Sequence, residues 1–286
     1  MTIDVHAHLD LEEITPDGYL RVMDASGISK IVLLANLNSK IPPTPDWKIA
    51  ILRFLLLSSL YPAGKKIYES LVSTGALKGG GYTIRIIHDP DNDSVAHAVS
   101  MYPDRFMAFV VVNPTLRHAM DIFDKGIEDQ GMVGVKCHSW WHQFDPSEEL
   151  LPIARRCEEK GLPLLIHLGG GPRTGSVQGL LERCPRLKLI LAHAGIPHFQ
   201  RIWERVRAEK NCFVDISGSY LNAAIVRKAV QALGSDKVIF GSDGPVSLRC
   251  AGGGHSYESI LQWTHNLPLS DGDKEKILHK NLEKLL

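Results

Sequence analysis

The sequence predicts an α/β protein of the (β/α)8, TIM-type barrel class, carrying a helical insertion near residues 40–81. Three observations lead there. Short apolar runs alternate with segments of helical periodicity along nearly the whole chain, the pattern of parallel strands joined by right-handed helical crossovers. Eight such runs occur, near residues 3, 31, 107, 133, 163, 188, 213 and 238. Several of them end in histidine or aspartate, and in a barrel the carboxyl ends of the strands meet at one rim. A length of 286 residues suits a single barrel domain over residues 1–286. An open doubly wound sheet is the alternative fold.

The elements follow in order. Ile3-Asp4-Val5-His6-Ala7-His8 alternates as a strand does, so the two histidines share one side. Pro16 opens a helix that Gly27 closes, the usual punctuation. Lys30–Ala35 is a near-continuous apolar run, as expected of a strand covered on both faces. Residues 36–81 break the rhythm: a turn rich in proline (Pro42, Pro43, Pro45), then helical segments Trp47–Leu60 and Ala63–Leu77, ending at Gly79-Gly80-Gly81. Such a stretch is too long for an ordinary loop. Its surplus of leucine and isoleucine calls for burial against the body, a substrate or a second subunit, so a homo-oligomer is an open expectation. A helix from Pro90 towards Pro103 and a strand at Arg105–Val112 restore the alternation. It continues through strands Met132–His138, Leu162–His167, Leu187–His193, Cys212–Ile216 and Lys237–Gly241, each preceded by a helix, and two further helices close the chain.

Composition excludes several classes. Lys and Arg number 32 against 32 Asp and Glu, which argues against nucleic acid or an anionic membrane as partner. The most apolar run, Ile51–Leu57, is too short to span a bilayer and contains Arg53. Five scattered cysteines without a C-x-x-C fit reduced thiols in a cytoplasm rather than a disulfide framework. No secretory leader is expected ahead of a strand beginning at residue 2 or 3. The partner that remains is a small-molecule substrate.

The strand ends nominate the chemistry. His6 and His8 end the first strand, Lys136 and His138 the fourth, His167 the fifth, His193 the sixth and Asp243 the eighth. Three imidazoles (His6, His8, His167) and the Asp243 carboxylate suit a single divalent ion. Zn2+ is the first expectation, with Mn, Co, Ni or Fe(II) as substitutes. Asp243 either binds the ion or takes a proton from the water it activates, and His193 is the candidate general acid/base or carbonyl-polarising group. Trp140 and Trp141, on a loop after the fourth strand, offer flat apolar walls for a substrate. Arg173, just after Gly169-Gly170-Gly171, could clamp a carboxylate. The glycines permit close backbone approach but lack a phosphate-loop pattern. Cys137 alternates with its neighbours Lys136 and His138 and so points towards the helices, against a thiol nucleophile. No G-x-S-x-G elbow is present.

In these stretches the sequence resembles the amidohydrolase superfamily, and within it the amidohydrolase-related branch that contains carboxymuconate-semialdehyde decarboxylase-like enzymes. The matching segments are IDVHAH at the start, YPDRFMAFVVVNP at 102–114, GVKCH at 134–138, PLLIH at 163–167, LILAHAG at 189–195, VIFGSDGP at 238–245 and the terminal ILHKNLEKLL. They cover nearly the whole chain outside the insert. The resemblance implies His6, His8, His167 and Asp243 as metal ligands and His193 as a catalytic or metal-proximal residue. In binuclear members of the superfamily a lysine at the position of Lys136 is carboxylated and bridges two ions. One ion is preferred here, with Lys136 binding a substrate carboxylate or pairing with Asp243. The expected activity is metal-dependent hydrolysis of a small amide, lactone or related acid. The alternatives are non-oxidative decarboxylation of an unsaturated or aromatic acid at the same site, or a barrel that binds a metal or ligand without turnover.

Overall fold

The computed structural model describes the chain apart from residues 41, 43, 44, 74, 75, 80 and 81. The eight expected strands are present: β1 (Ile3–Leu9), β2 (Lys30–Ala35), β3 (Phe106–Ala108, continuing as Val110–Val111), β4 (Val135–His138), β5 (Pro163–His167), β6 (Lys188–Leu191), β7 (Cys212–Asp215) and β8 (Val238–Ile239). All neighbours run parallel, and the order follows the chain from β1 to β8. β3 changes partner at Phe109. The Phe109 N–H donates to Leu33 O at 3.2 Å, whereas Val110 N–H donates to Gly134 O at 2.9 Å. The ring closes between last strand and first through Val5 N–H to Phe240 O (3.1 Å), Asp243 N–H to His6 O (2.6 Å) and His8 N–H to Gly244 O (2.7 Å). Continuous apolar strands such as Lys30–Ala35 are buried along nearly their whole length, as the pattern requires.

Helices cover the outside of the ring, and their ends follow local rules. In α1 (Pro16–Ser26) the Thr15 hydroxyl accepts from Gly18 N–H, and Gly27 takes the left-handed conformation at φ 69°. Among the described residues no helix is long and apolar enough to cross a membrane.

The insert differs from expectation in its second half. α2 (Asp46–Leu57) and α3 (Tyr61–Ser70) form the helical hairpin, but α3 stops before Leu77. Val72–Ser73, Ala76–Gly79 and Tyr82–Arg85 form a small antiparallel sheet instead. The β-branched residues Val72, Thr83 and Ile84 favour extended backbone over helix, and no heptad-like apolar face outweighs them. Of the expected turn and glycine stretches, Pro43, Gly80 and Gly81 lie outside the described residues.

The hairpin is tied to the barrel by several side-chain contacts. Arg201 donates to the carbonyls of Leu56 (3.1 Å) and Ser58 (3.2 Å), capping the end of α2, and its guanidinium lies 3.8 Å over the Tyr61 ring. Tyr61 Oη meets His198 Nδ1 at 2.7 Å. Glu69 accepts from Gly170 N–H (2.7 Å) and from the Thr174 hydroxyl (3.0 Å). A side chain at Gly170 would strike Lys65 at 2.9 Å, so the glycine run after β5 is the seat on which α3 rests.

The junction of β1 with β8 is held by a buried carboxylate. Asp4 accepts from the Ser242 N–H (2.8 Å), the Ser242 hydroxyl (2.5 Å), the Tyr257 hydroxyl (2.7 Å) and the His6 N–H (3.0 Å). Burial outweighs these donors and raises its pKa to about 6. A folded value above the ordinary 3.8 means that this group contributes stability below pH 3.8 and loses it as pH rises through about 6. Asp4→Ala at pH 7 strands the donors in a dry interior and is expected to cost roughly 2–4 kcal/mol. A urea midpoint unchanged from the parent would refute the role given to this junction.

Candidate active site

Each strand end delivers one layer of the site because successive residues face opposite sides of a strand. His6 and His8, two apart on β1, face the rim together with Asp243 from the turn after β8. Their ligand-capable atoms lie within 4.8 Å of one another. The Asp243 carboxylate is 3.5 Å from His6 Nε2 and 3.7 Å from His8 Nε2. Asp243 holds φ at 62°, an uncommon conformation for a non-glycine residue, fixed here by its backbone bond to His6 O.

Hydrogen bonding decides which nitrogen of each ring faces the centre. His8 Nδ1 donates to the Ala35 carbonyl at 3.0 Å, since a carbonyl can only accept. His6 Nδ1 donates to Asp215 at 2.8 Å. Both rings therefore turn an unprotonated Nε2 towards Asp243. Burial keeps them uncharged: His8 falls to about 4 and His6 well below the ordinary 6.5, with the Lys136 charge as the next cause in each. Two neutral imidazoles and a carboxylate that converge on one point, with the far nitrogens anchored, form a donor set that fits a divalent cation. A set of this kind repels itself unless a positive charge stands among it. Lys136, fully buried, places Nζ 3.0 Å from His6 Nε2. Burial pulls its pKa down. Among the described residues no Lys136–Asp243 ion pair forms, so that expected pairing is replaced by a contact to His6.

His167 does not join the three-residue group. It belongs to a chain of hydrogen bonds whose polarity can be read from its end. His193 Nδ1 donates to the Ser217 carbonyl (3.0 Å), so its Nε2 accepts from His167 Nδ1 (3.1 Å), and His167 Nε2 accepts from the Tyr68 hydroxyl (2.6 Å). Burial lowers both histidines, His193 to about 4. His138 stacks between His167 (4.1 Å) and Trp141 (4.4 Å), and its Nδ1 accepts from Trp141 N–H. Trp140 stacks on Tyr68 at 3.9 Å. The two tryptophans sit on a short helix, Ser139–His142, rather than on an open loop, and both line the cavity.

One expected site residue lies apart from the others. Arg173 is exposed and paired with Glu149, away from the cavity; Glu69 occupies the glycine run beside it, so the turn carries the guanidinium outward. His255 pairs with Glu13 at 3.2 Å and does not line the cavity. Cys137 is buried and its thiol is pushed well above its usual range, as its alternation with Lys136 and His138 implied.

Strand-end reading passed over Asp215, which ends β7. Its Oδ2 anchors His6. Its Oδ1 accepts from His193 N–H (2.7 Å), Ser217 N–H (3.1 Å) and the Ser217 hydroxyl (2.5 Å), so one carboxylate orients both sides of the site. The rule that nominated Asp243 applies to it equally. Gly218, at φ 84°, follows of necessity: a side chain there would strike His193 Nδ1 at 2.7 Å. Tyr68 had no comparable signal, because it arrives from the insert.

A closed ring of parallel strands with imidazoles and carboxylates at its carboxyl rim defines the class of protein: a barrel enzyme with its chemistry at that rim. The family model described as amidohydrolase matches residues 59–286, and the chain belongs to that family. Solved structures share the fold over nearly the full length of both chains. The 2,6-dihydroxybenzoate decarboxylase from Rhizobium is 17% identical, with a TM-score of 0.63 over 99% of this chain and 98% of that one. The 4-oxalomesaconate hydratase from Rhodopseudomonas palustris is 14% identical, with a TM-score of 0.65 over 100% and 95%. A dihydroxybenzoic acid decarboxylase from Polaromonas sp. JS666, solved with manganese and the inhibitor 2-nitroresorcinol, is 16% identical, with a TM-score of 0.60 over 99% and 96%. No curated protein matches the sequence.

Two outcomes follow from this geometry. Asp215→Asn frees the far nitrogen of His6, and competition with a chelator is expected to show metal affinity about 10–100-fold weaker; unchanged affinity would detach Asp215 from the site. Burial leaves the histidines neutral far below their usual range but holds the Asp243 proton up to about 8, so that carboxyl is where protons first compete with an ion. Chelator competition is expected to show metal affinity weakening as pH falls below about 8; affinity unchanged between pH 8 and 6.5 would contradict the burial argument at Asp243.

Proposed function

We propose that this amidohydrolase-family enzyme is a metal-dependent, non-oxidative decarboxylase of an unsaturated or aromatic acid, with His6, His8 and Asp243 holding the ion. The observation that carries the reading is the disposition of carboxylates around and beneath the histidine cluster. Asp4 and Asp215 are saturated by backbone and hydroxyl donors, and Asp243 is drawn into the three-residue group. Among the described residues at the histidine cluster, no carboxylate outside the three-residue group is left over to activate water, whereas a hydrogen-bonded histidine pair stands beside it. That arrangement suits protonation of carbon better than hydrolysis. The fold neighbours named decarboxylases support the same reading, and the manganese in one makes Mn2+ as apt a cofactor as Zn2+.

When bound, a divalent ion at this donor set supplies a positive centre that orients and polarises an anionic substrate. Lys136 adds a second positive charge on the same side and holds the carboxylate end. The bond from carbon to carboxyl breaks with its electron pair left on carbon, and CO2 departs. The proton for that carbon travels along the chain. The Tyr68 hydroxyl gives one to His167 Nε2, His167 Nδ1 gives its own to His193 Nε2, and His193 passes it to the carbon. Tyr68 recovers a proton from water that enters as CO2 leaves. Burial of Trp140 and the histidine floor keeps bulk water out of the reacting centre. The free cysteines, four of the five buried, suit a reducing cytoplasm.

Hydrolysis of an amide or lactone is the second reading, supported by the family description and by the place of Asp243 in the three-residue group. The products separate the two. With a substrate found by screening aromatic and unsaturated acids in deuterium oxide, decarboxylation yields one CO2 and one carbon-bound deuterium per turnover. A product carrying the elements of water would establish hydrolysis instead. Chelation is expected to abolish either activity, with recovery on adding Mn2+ or Zn2+. His193→Asn is expected to lower kcat by roughly 10²–10⁴-fold while metal content stays whole; a kcat near that of the parent would remove His193 from the chemistry.

A further inference from the structure

The cavity above the histidine floor has a volume of about 610 Å³. A pocket of roughly 150 Å³ is enough for one benzene ring, so a single-ring acid would leave most of this space unfilled. Polar side chains, among them Asn36, Lys48 and Ser219, share the wall of the remainder, but its large apolar side chains come mostly from the insert: Ile51, Leu52 and Leu55 from α2 and Ile67 from α3, across from Trp140 and Trp141. Ile51 and Ile67 are 50% and 46% exposed although they line the cavity. They are not explained by core packing, and large apolar side chains facing an open space signal something that covers them. Arg249, a guanidinium that lines the same cavity, is engaged by both oxygens of Glu13 at 2.5 Å. Its planar fork is thus taken, which leaves Lys48, a point charge without a fork, as the other cation beside the insert's apolar side chains among the described residues.

We infer that the insert makes this site selective for acids with an extended apolar arm: a carboxylate placed on the floor by Lys136 and the histidines, with a second ring or alkyl chain lying against α2 and α3. The inference rests on the proposed reading of the floor as the end that receives the carboxylate. The arm gains affinity by leaving water for the isoleucine and leucine wall, roughly fourfold for each buried methylene.

Isothermal titration of the manganese-loaded protein with two unreactive acids, benzoate and biphenyl-4-carboxylate, tests it. The biphenyl acid is expected to bind at least tenfold more tightly. In the double variant Ile51→Asp, Ile67→Asp the ratio of the two Kd values is expected to fall towards one. Both side chains are half exposed, so folding does not depend on them, and the unfolding temperature of the variant checks this. Equal Kd values for the two acids, or a ratio unmoved by the double variant, would overturn the apolar-arm assignment while benzoate binding upholds the floor. A protein that binds neither acid overturns both.

Discussion

Everything in the site depends on one covalently remote contact, the pairing of the first strand with the last. His6 and His8 lie more than two hundred residues from Asp243, and only closure of the ring brings them to one point. The backbone bonds across that seam are the bonds that set the site. Asp243 donates to the His6 carbonyl, and Asp4 gathers Ser242 and the Tyr257 hydroxyl against the base of β1. Structural closure and assembly of the cation-ready group are therefore the same event.

Burial then sets the electrical state. Five histidines stand within the floor, and in water near neutrality such a cluster would carry partial charge and repel itself. In the dry rim desolvation lowers every one of them, and the Lys136 charge pushes all five further the same way. Neutral rings can accept, donate or bind a metal, and their roles are then sorted by what holds the far nitrogen. A carbonyl behind His8 and a carboxylate behind His6 aim two lone pairs at the centre. A carbonyl behind His193 sets the same polarity, but its Nε2 accepts from His167 and so ends the hydrogen-bond chain that runs from Tyr68 through His167.

The insert is the element that distinguishes this rim. It is more than a covering, since Arg201 caps one helix of it, Glu69 binds the glycine run, and Tyr68 reaches the histidine chain. Anchors of this kind hold the apolar wall of the cavity at a set distance from the histidine floor. Leu56 and Tyr68 are fully buried, so part of the insert's apolar surplus packs against the body, while Ile51 and Ile67 face the cavity.

The sequence by itself determined the barrel, its strand count and most of the rim, because strand alternation and apolar runs are local properties and the polar residues that end them stand out. His6, His8, His193 and Asp243 were legible for that reason. Asp215 was legible by the same rule but was hidden by reading β7 one residue too long. What only the tertiary structure decided is how neighbouring strands share their lone pairs: that His167 spends Nε2 on a phenol from the insert, that Lys136 leans on His6, and that Arg173 is turned away by Glu69. Those outcomes depend on which group lies behind each ring or loop, and such groups come from segments that are far apart in the chain and carry no periodic signal of their own. The same holds for the end of α3, where a short stretch could serve helix or strand until the surrounding contacts chose.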